Sequence, residues 1–68
     1  MKAELVYGRI IRIENNTLTL EVKKSLGEYE EVQFQLDIDL DEGWIADNLG
    51  AYMNVVVING KVKSFRSE

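Results

Sequence analysis

The sequence has no cysteine, no histidine and no proline. Without cysteine the chain forms no disulfide and offers no thiolate to a metal ion, which fits a reducing compartment and predicts a cytoplasmic location. Without histidine or cysteine it lacks the most frequent general base and the most reactive nucleophile, and no serine or threonine has a candidate base beside it. We therefore expect no enzymatic activity, no catalytic residue, no cofactor and no small-molecule substrate.

Long hydrophobic runs are missing as well. Residues 1–9 contain no apolar stretch of the length that a signal peptide or a membrane span requires. The 68 residues are enough for one small domain, 1–68, and a chain of this size buries only about 60% of the surface that it exposes when unfolded. We expect a soluble domain of marginal stability with no membrane partner.

Positive charge is missing from the middle of the chain. Residues 25–60 contain eight acidic residues and no basic one, whereas residues 1–24 and 61–68 each have a small excess of basic residues. The net charge is −4. An acidic middle between mildly basic ends indicates a polarised surface and does not indicate a general polyanion binder.

The most regular pattern is the stretch Glu31–Leu40, in which apolar and polar residues alternate without interruption. Successive side chains of a strand point to opposite faces, so a period of two gives one apolar and one polar face. On a helix the same residues would be spread around the axis. The pattern predicts the central strand of an antiparallel sheet, and its core-facing residues are Val32, Phe34, Leu36, Ile38 and Leu40.

Four further stretches have the composition of strands and are separated by turn residues. They are Ala3–Ile13, Thr17–Lys23, Tyr52–Ile58 and Lys61–Arg66. Because proline is absent, the turns depend on asparagine and glycine: Asn15–Asn16 and Asn59–Gly60 predict two-residue hairpin turns. Residues 24–28, with Gly27, are predicted to form a loop.

The first of these strands carries Gly8 in its middle. Val6 and Ile10 alternate toward one face; Leu5, Tyr7, Ile11 and Ile13 alternate toward the other. A glycine within a strand often marks a bulge or a bend. We predict that the strand bends at Gly8, changes its inward face and is shared by the two halves of a closed sheet. The alternative is an ordinary strand with an exposed valine.

The two-residue turn fixes the pairing of the closing hairpin, with Ile58 opposite Lys61 and Val57 opposite Val62. Regular alternation then assigns one face to Met53, Val55, Val57, Val62 and Ser64. It assigns the other face to Tyr52, Asn54, Val56, Lys61, Lys63 and Phe65. Since the stretch Tyr52–Ile58 is apolar on both faces, we expect its outer side to be covered too.

A short helix is predicted between Asp41 and Gly50. Asp41 is a good N-cap, Glu42 suits the positive end of the helix dipole, and Gly50 is placed to end the helix. Leu40 and Ile45 are spaced for a hydrophobic staple. On this helix Trp44 is expected to plug the bottom of the sheet, and if it were exposed it would be an anchor for a protein partner.

The element order is therefore β-β-β-α-β-β. With its long, glycine-bent first strand, three-strand meander, short helix and closing hairpin, the chain resembles a minimal OB-fold. The resemblance is one of architecture over nearly the whole chain, without a family motif. It implies a mainly β fold, a small five-stranded antiparallel barrel with one short helix between strands three and four. An SH3-like barrel, whose helical turn precedes the last strand, fits less well.

Nucleic-acid binding on an OB-like barrel requires aromatic and basic residues, usually on the outer face of strands two and three. On this reading that face has no aromatic residue and four acids against one base. The remaining candidate is the closing hairpin with Tyr52, Lys61, Lys63, Phe65 and Arg66. The alternative is that Tyr52 and Phe65 pack inside while the lysines protect a sheet edge.

The acidic stretch from Asp37 to Gly43 has carboxylates at alternate positions, as calcium loops do. The match fails because Glu42 stands where such a loop needs glycine and Asn48 stands where it needs a bidentate glutamate. We expect the stretch to be a solvated strand face followed by a helix cap, and no metal site.

These patterns predict a non-catalytic β-barrel module that acts through protein contacts, by self-association or by docking in a larger assembly. The competing function is a nucleic-acid-binding module that uses the closing hairpin, although the acidic net charge disfavours it. A third possibility is a domain, natural or designed, without a selected ligand. The candidate contact residues are Trp44, Tyr52, Lys61, Lys63, Phe65 and Arg66.

Overall fold

The computed structural model describes residues 2–67; Met1 and Glu68, the two ends of the predicted domain, lie outside the described residues. The chain is mainly β, and its element order confirms the predicted β-β-β-α-β-β. The strands are β1 (Ala3–Glu14), β2 (Thr17–Ser25), β3 (Glu28–Leu36), β4 (Tyr52–Ile58) and β5 (Lys61–Ser67). The helix α1 (Glu42–Asn48) connects β3 to β4.

The five strands form one sheet that closes into a ring in the order β1-β2-β3-β5-β4. Four of the contacts are antiparallel, but β3 and β5 run parallel, through the pairs Gln35–Lys61 and Leu36–Val62. The prediction of a purely antiparallel sheet was therefore wrong. Each antiparallel contact reverses the strand direction, so a closed ring with an odd number of strands must contain a parallel contact.

Strand β1 is shared by the two halves of the ring, as predicted. It pairs with β4 through Ala3–Arg9 and with β2 through Arg9–Glu14. The register shifts between Ile10 and Arg12, which leaves Ile11 as the extra residue, so the predicted change of inward face occurs there and not at Gly8.

Gly8 lies at a close approach between two strands. A Cβ atom at this position would lie 3.0 Å from the backbone oxygen of Glu21 and 3.2 Å from a methyl group of Val22. Glycine therefore lets β1 and β2 approach each other closely where β1 passes from β4 to β2.

The core lies inside the ring. Its fully or nearly fully buried apolar side chains are Ile10, Leu18, Leu20, Leu36, Val55, Val57 and Val62. Phe34 and Val32 pack against this cluster and are half-buried. The predicted inward orientation of Phe34 and Leu36 is thus confirmed.

Strand β3 begins at Glu28, three residues before the predicted Glu31, and it ends at Leu36 instead of Leu40. Residues 37–41 keep the alternating burial of the sequence pattern, with Ile38 and Leu40 half-buried. The Asp37 amide donates a hydrogen bond to the Val62 oxygen over 2.9 Å, but after it the segment pairs with no strand. Alternating burial indicates that a segment is extended, whereas a strand also requires backbone pairing with a neighbouring strand.

The predicted helix caps and the two predicted asparagine turns are confirmed, whereas the predicted loop 24–28 is shorter, since β2 continues to Ser25 and β3 begins at Glu28. The Asp41 carboxylate accepts a hydrogen bond from the Trp44 amide over 2.8 Å and so caps α1. Gly50 has a positive φ of 84° and its amide donates to the Ile10 oxygen over 2.7 Å, which fastens the end of the helix segment to β1. Both residues of the turns Asn15–Asn16 and Asn59–Gly60 have positive φ, as type I′ hairpins require.

The closing hairpin begins in the predicted register, with Ile58 opposite Lys61 and Val57 opposite Val62. The register then shifts by one residue, so that Val56 lies opposite Ser64 and Lys63 is the extra residue. Phe65 consequently lies opposite Val55 on the inner face. The prediction that Phe65 shares the outer face with Tyr52, and Ser64 the inner face with Val55, was wrong because regular alternation contains no bulge.

Candidate functional site

Apolar side chains lie next to one another on the outer face of β1 and β4. Their neighbours Val55 and Val57 are completely buried, so the alternate residues of β4 point away from the core. Across the two strands Ala3 lies opposite Ile58, and Leu5 lies opposite Val56. We call the group Leu5, Tyr7, Tyr52, Val56 and Ile58 the β1–β4 face.

The exposure within this face is uneven. The side chain of Leu5 is 60% exposed, and those of Tyr7 and Tyr52 are each 43% exposed. Val56 and Ile58 are half-buried. Leu5 and the two tyrosines thus protrude beyond the less exposed side chains of Val56 and Ile58.

The two tyrosines are stacked on each other. Their ring centroids lie 5.6 Å apart with 19° between the ring planes. Tyr7 pairs with Asn54, and Tyr52 lies two residues before Asn54 on β4, so the rings meet across a diagonal of the ladder. Stacking holds both rings in one orientation and reduces the side-chain entropy that a partner would otherwise have to remove.

Positive charge borders the face along β5. Lys61 lies opposite Ile58, and Arg66 lies opposite Asn54. Neither forms an ion pair within residues 2–67. At the other end Arg9 lies opposite Tyr52, and it is paired with Glu21 at 3.2 Å.

Lys63 is placed differently from the other cations. As the extra residue of β5 it reaches across the contact between β3 and β5 and forms an ion pair with Asp37. The hydrogen bond from Lys63 and its positive charge lower the pKa of Asp37 below its ordinary value, and Lys61 contributes in the same direction.

Trp44 and Phe65 are directed toward the core. Their ring centroids lie 4.8 Å apart with 50° between the planes, and both side chains pack against the buried cluster. Of the six predicted contact residues, the structure therefore places Tyr52, Lys61 and Arg66 on one outer face, with Lys61 and Tyr52 at its opposite ends. Lys63 lies over the β3–β5 contact, while Trp44 and Phe65 form a pair beneath the ring.

A groove of about 430 Å³ adjoins the face where β1 passes to β2. Its lining residues are Tyr7, Gly8, Glu21, Lys23, Tyr29 and Tyr52. Tyr29 lies on β3 opposite Lys23 and is 55% exposed. The outer face of β2 and β3 therefore does carry an aromatic residue, contrary to the prediction.

Three aromatic or apolar residues of this region were not predicted as contact residues. Tyr29 was assigned to neither the loop 24–28 nor the strand from Glu31, because Tyr29 and Glu30 break the alternation of that strand; β3 in fact begins at Glu28, which places Tyr29 on the same face as Glu31 and Gln33. For Leu5 and Tyr7 the period of two shows that they share a face. Whether that face points away from the core depends on the pairing of β1 with β4, about 50 residues away in the sequence. The residues around Leu5 and Tyr7 do not indicate this pairing.

The acidic stretch has structural partners. Asp37 is paired with Lys63, and Asp41 caps the helix. Within residues 2–67, no group of three or more histidine, cysteine, aspartate or glutamate side chains is arranged to hold a metal ion. Over the same residues no helix is both long enough and apolar enough to cross a membrane.

No family model, no curated protein and no solved structure matches the chain. Inferences about function therefore rest on the chemistry and placement of its own residues.

Proposed function

We propose that the chain is a non-catalytic interaction domain of OB-like architecture that acts through protein contacts on the β1–β4 face. These contacts are either self-association or docking within a larger assembly. The observation that carries the proposal is the exposed apolar cluster itself: Leu5, Tyr7 and Tyr52 project outward from a sheet whose core is already filled by other residues.

The OB-like assignment is supported by the connectivity. Strands β1, β2 and β3 are joined in sequence, and β4 returns to lie beside β1, which gives the spatial order 4-1-2-3 of a Greek key. An OB-fold is a five-stranded Greek-key barrel. The helix between β3 and β4 and the closing hairpin fit the same architecture.

Protein contact is supported by the residue types of the face. Tyrosine is enriched among the residues that contribute most to protein interfaces, and a large apolar side chain gains most when a partner excludes water from it. The stacked pair Tyr7–Tyr52 offers such an anchor in a fixed orientation. Leu5, Val56 and Ile58 supply the apolar surroundings.

Single-stranded nucleic acid is the second candidate because two rings lie near Arg66, and Lys61 lies at the far end of the same outer face. Bases stack on exposed rings, and basic residues contact the phosphates. Two features weigh against it. The rings are stacked on each other, and the rest of the face is aliphatic and cannot stack.

The test places a photo-cross-linking amino acid at Ser64, on the outer side of β5, and for comparison at Gln33, on the outer side of β3. Both positions are exposed. Cross-linking is carried out on the purified protein and in a cell extract. We expect protein adducts from position 64 that disappear on Leu5→Glu. Equal adducts from position 33, or adducts from position 64 that persist in Leu5→Glu, would contradict the proposal.

Self-association is separated from docking by sedimentation velocity of the purified protein over a hundredfold range of concentration. A sedimentation coefficient that rises with concentration, and stays constant in Leu5→Glu, indicates self-association. A constant value for both, together with the adducts in extract, indicates docking to another protein.

A further inference from the structure

The charges of the domain are segregated by strand. Strands β4 and β5 contain three basic residues and no acidic residue, and the three are Lys61, Lys63 and Arg66. The eight acidic residues of residues 25–60 lie on β3, on α1 and on the segment between them. A chain with a net charge of −4 thus has two adjacent strands, β4 and β5, without a carboxylate.

The apolar strip of the β1–β4 face and the positive charge of β5 lie side by side. Lys61 lies in the same row as Ile58, and Arg66 lies in the same row as Asn54 and Tyr7. Both cations lack an ion-pair partner within residues 2–67. A partner that covers Leu5 and Tyr52 therefore also lies next to the charged side chains of Lys61 and Arg66.

The size of the strip favours a single segment over a folded partner. Two strands about 5 Å apart and seven residues long, with side chains, span roughly 10 by 23 Å, or about 230 Å². A stable complex of two folded proteins buries about 800 Å² on each partner. One helix, about 10 Å wide, or one extended strand covers a strip of this shape.

A second copy of the chain fits this face poorly. In a two-fold symmetric contact the same patch meets itself. Strands β4 and β5 contain no acidic residue, so these strands of one copy offer no carboxylate to Lys61 and Arg66 of the other. A two-fold axis that runs across the strands would also bring the cations of the two copies together, and like charges across an interface weaken it.

We propose that the β1–β4 face binds an acidic peptide segment of a partner protein, whose apolar side chains cover Leu5 and the Tyr7–Tyr52 pair and whose carboxylates pair with Lys61 and Arg66. This inference rests on the proposed function and specifies the partner. Opposite charges along the edge of an apolar contact select the partner and speed its approach, and salt weakens both effects.

The experiment selects binders from a displayed library of random 15-residue peptides on the immobilised full-length protein at low salt. We expect the selected peptides to combine apolar residues with an excess of aspartate and glutamate. The leading peptide should bind Lys61→Glu/Arg66→Glu roughly tenfold more weakly than the unchanged protein, and should weaken similarly at high salt. The control Arg12→Glu/Lys24→Glu has the same change of charge away from the face, and we expect less than about a twofold effect.

The outcomes separate the two proposals. Selected peptides without an acidic excess, or full affinity in Lys61→Glu/Arg66→Glu, overturn the acidic partner; if Leu5→Glu still abolishes binding, the contact face stands. Selected peptides that bind Leu5→Glu and Tyr52→Ala as well as the unchanged protein, or no binders at all, overturn both. Phosphatidylserine vesicles and a thymidine oligonucleotide are titrated in parallel, and tighter binding of either through Lys61 and Arg66 also overturns the acidic peptide.

Discussion

The ring of Phe65 lies 4.8 Å from the indole of Trp44, with 50° between the two planes, so a residue of the last strand is packed on a residue of the only helix within residues 2–67. The contact depends on the register shift at Lys63, which turns Phe65 inward. Without it, the ring would lie on the outer face, and Trp44 would lose its aromatic neighbour.

The first prediction concerns this pair. Trp44→Leu and Phe65→Leu should each destabilise the domain, and the double variant should lose less than the sum, because either single change already removes the ring contact. We expect a coupling of about 0.5–1.5 kcal/mol from urea unfolding of the four proteins. Strict additivity would show that the rings stabilise the domain only through separate burial.

The second prediction concerns Gly8. A Cβ at this position lies 3.0 Å from the backbone oxygen of Glu21, and backbone cannot rotate away as a side chain does. Gly8→Ala should therefore destabilise the domain by roughly 1–3 kcal/mol, and Gly8→Val by more. For a domain of this size 1 kcal/mol corresponds to about 4–8 °C in Tm, which differential scanning calorimetry detects. An unchanged or raised Tm for Gly8→Ala would contradict the close approach.

The third prediction separates two neighbouring asparagines. Both Asn15 and Asn16 have positive φ, but only the Asn16 amide group donates to the Leu36 oxygen, over 3.1 Å. Asn16→Gly should cost about 1 kcal/mol through the lost hydrogen bond to the end of β3. Asn15→Gly keeps the backbone conformation and serves as the matched control. Equal unfolding free energies for the two variants would mean that the side-chain hydrogen bond adds nothing.

The fourth prediction concerns pH. The pKa of Asp37 is lowered in the folded domain by Lys63, so the ion pair stabilises the fold fully above the ordinary pKa of an aspartate, about 4. This stabilisation is lost as the pH falls from about 4 through the lower folded value. In Lys63→Met, the carboxyl signal of Asp37 should titrate closer to the ordinary value by NMR, and the loss of stability below pH 4 should be less steep. Lys61→Met is the control, with a smaller shift in the same direction.

The fifth prediction distinguishes the β1–β4 face from the core. Leu5→Ala should change the free energy of unfolding by no more than about 0.5 kcal/mol, because the side chain is mostly exposed. Val57→Ala removes two methyl groups from a completely buried position and should cost about 2 kcal/mol. If Leu5→Ala were as costly as Val57→Ala, the face would serve the fold and not a partner.

Much of the fold follows from local pattern. The turns at Asn15–Asn16 and Asn59–Gly60, the cap at Asp41 and the order of the elements were predicted correctly, because each depends on the conformational preference of one or two residues. The inward positions of Phe34 and Leu36 follow from alternation alone. Such features do not need distant parts of the chain.

Most of the errors depend on a single residue inserted into a ladder, or on a distant partner. The bulges at Ile11 and Lys63 reverse the alternation after them, and neither residue type marks a bulge. The end of β3 at Leu36 is set by where β5 ceases to accompany it, since the alternation itself continues to Leu40. The candidate site was therefore half predicted: Tyr52, Lys61 and Arg66 lie on it, but Leu5 and Tyr7 join them only through the β1–β4 pairing.

The parallel contact between β3 and β5 has a consequence for the opening of the ring. It comprises two residue pairs, against seven between β1 and β4, so thermal opening should begin there, and the amide of Asp37 should exchange with solvent sooner than the amides of the β1–β4 ladder. The opened sheet would have a β3 edge with three glutamates and a β5 edge with three cations. Two opened copies would then present complementary edges to each other, acid against base, and the ion pair of Asp37 with Lys63 spans the contact at which such an assembly would begin.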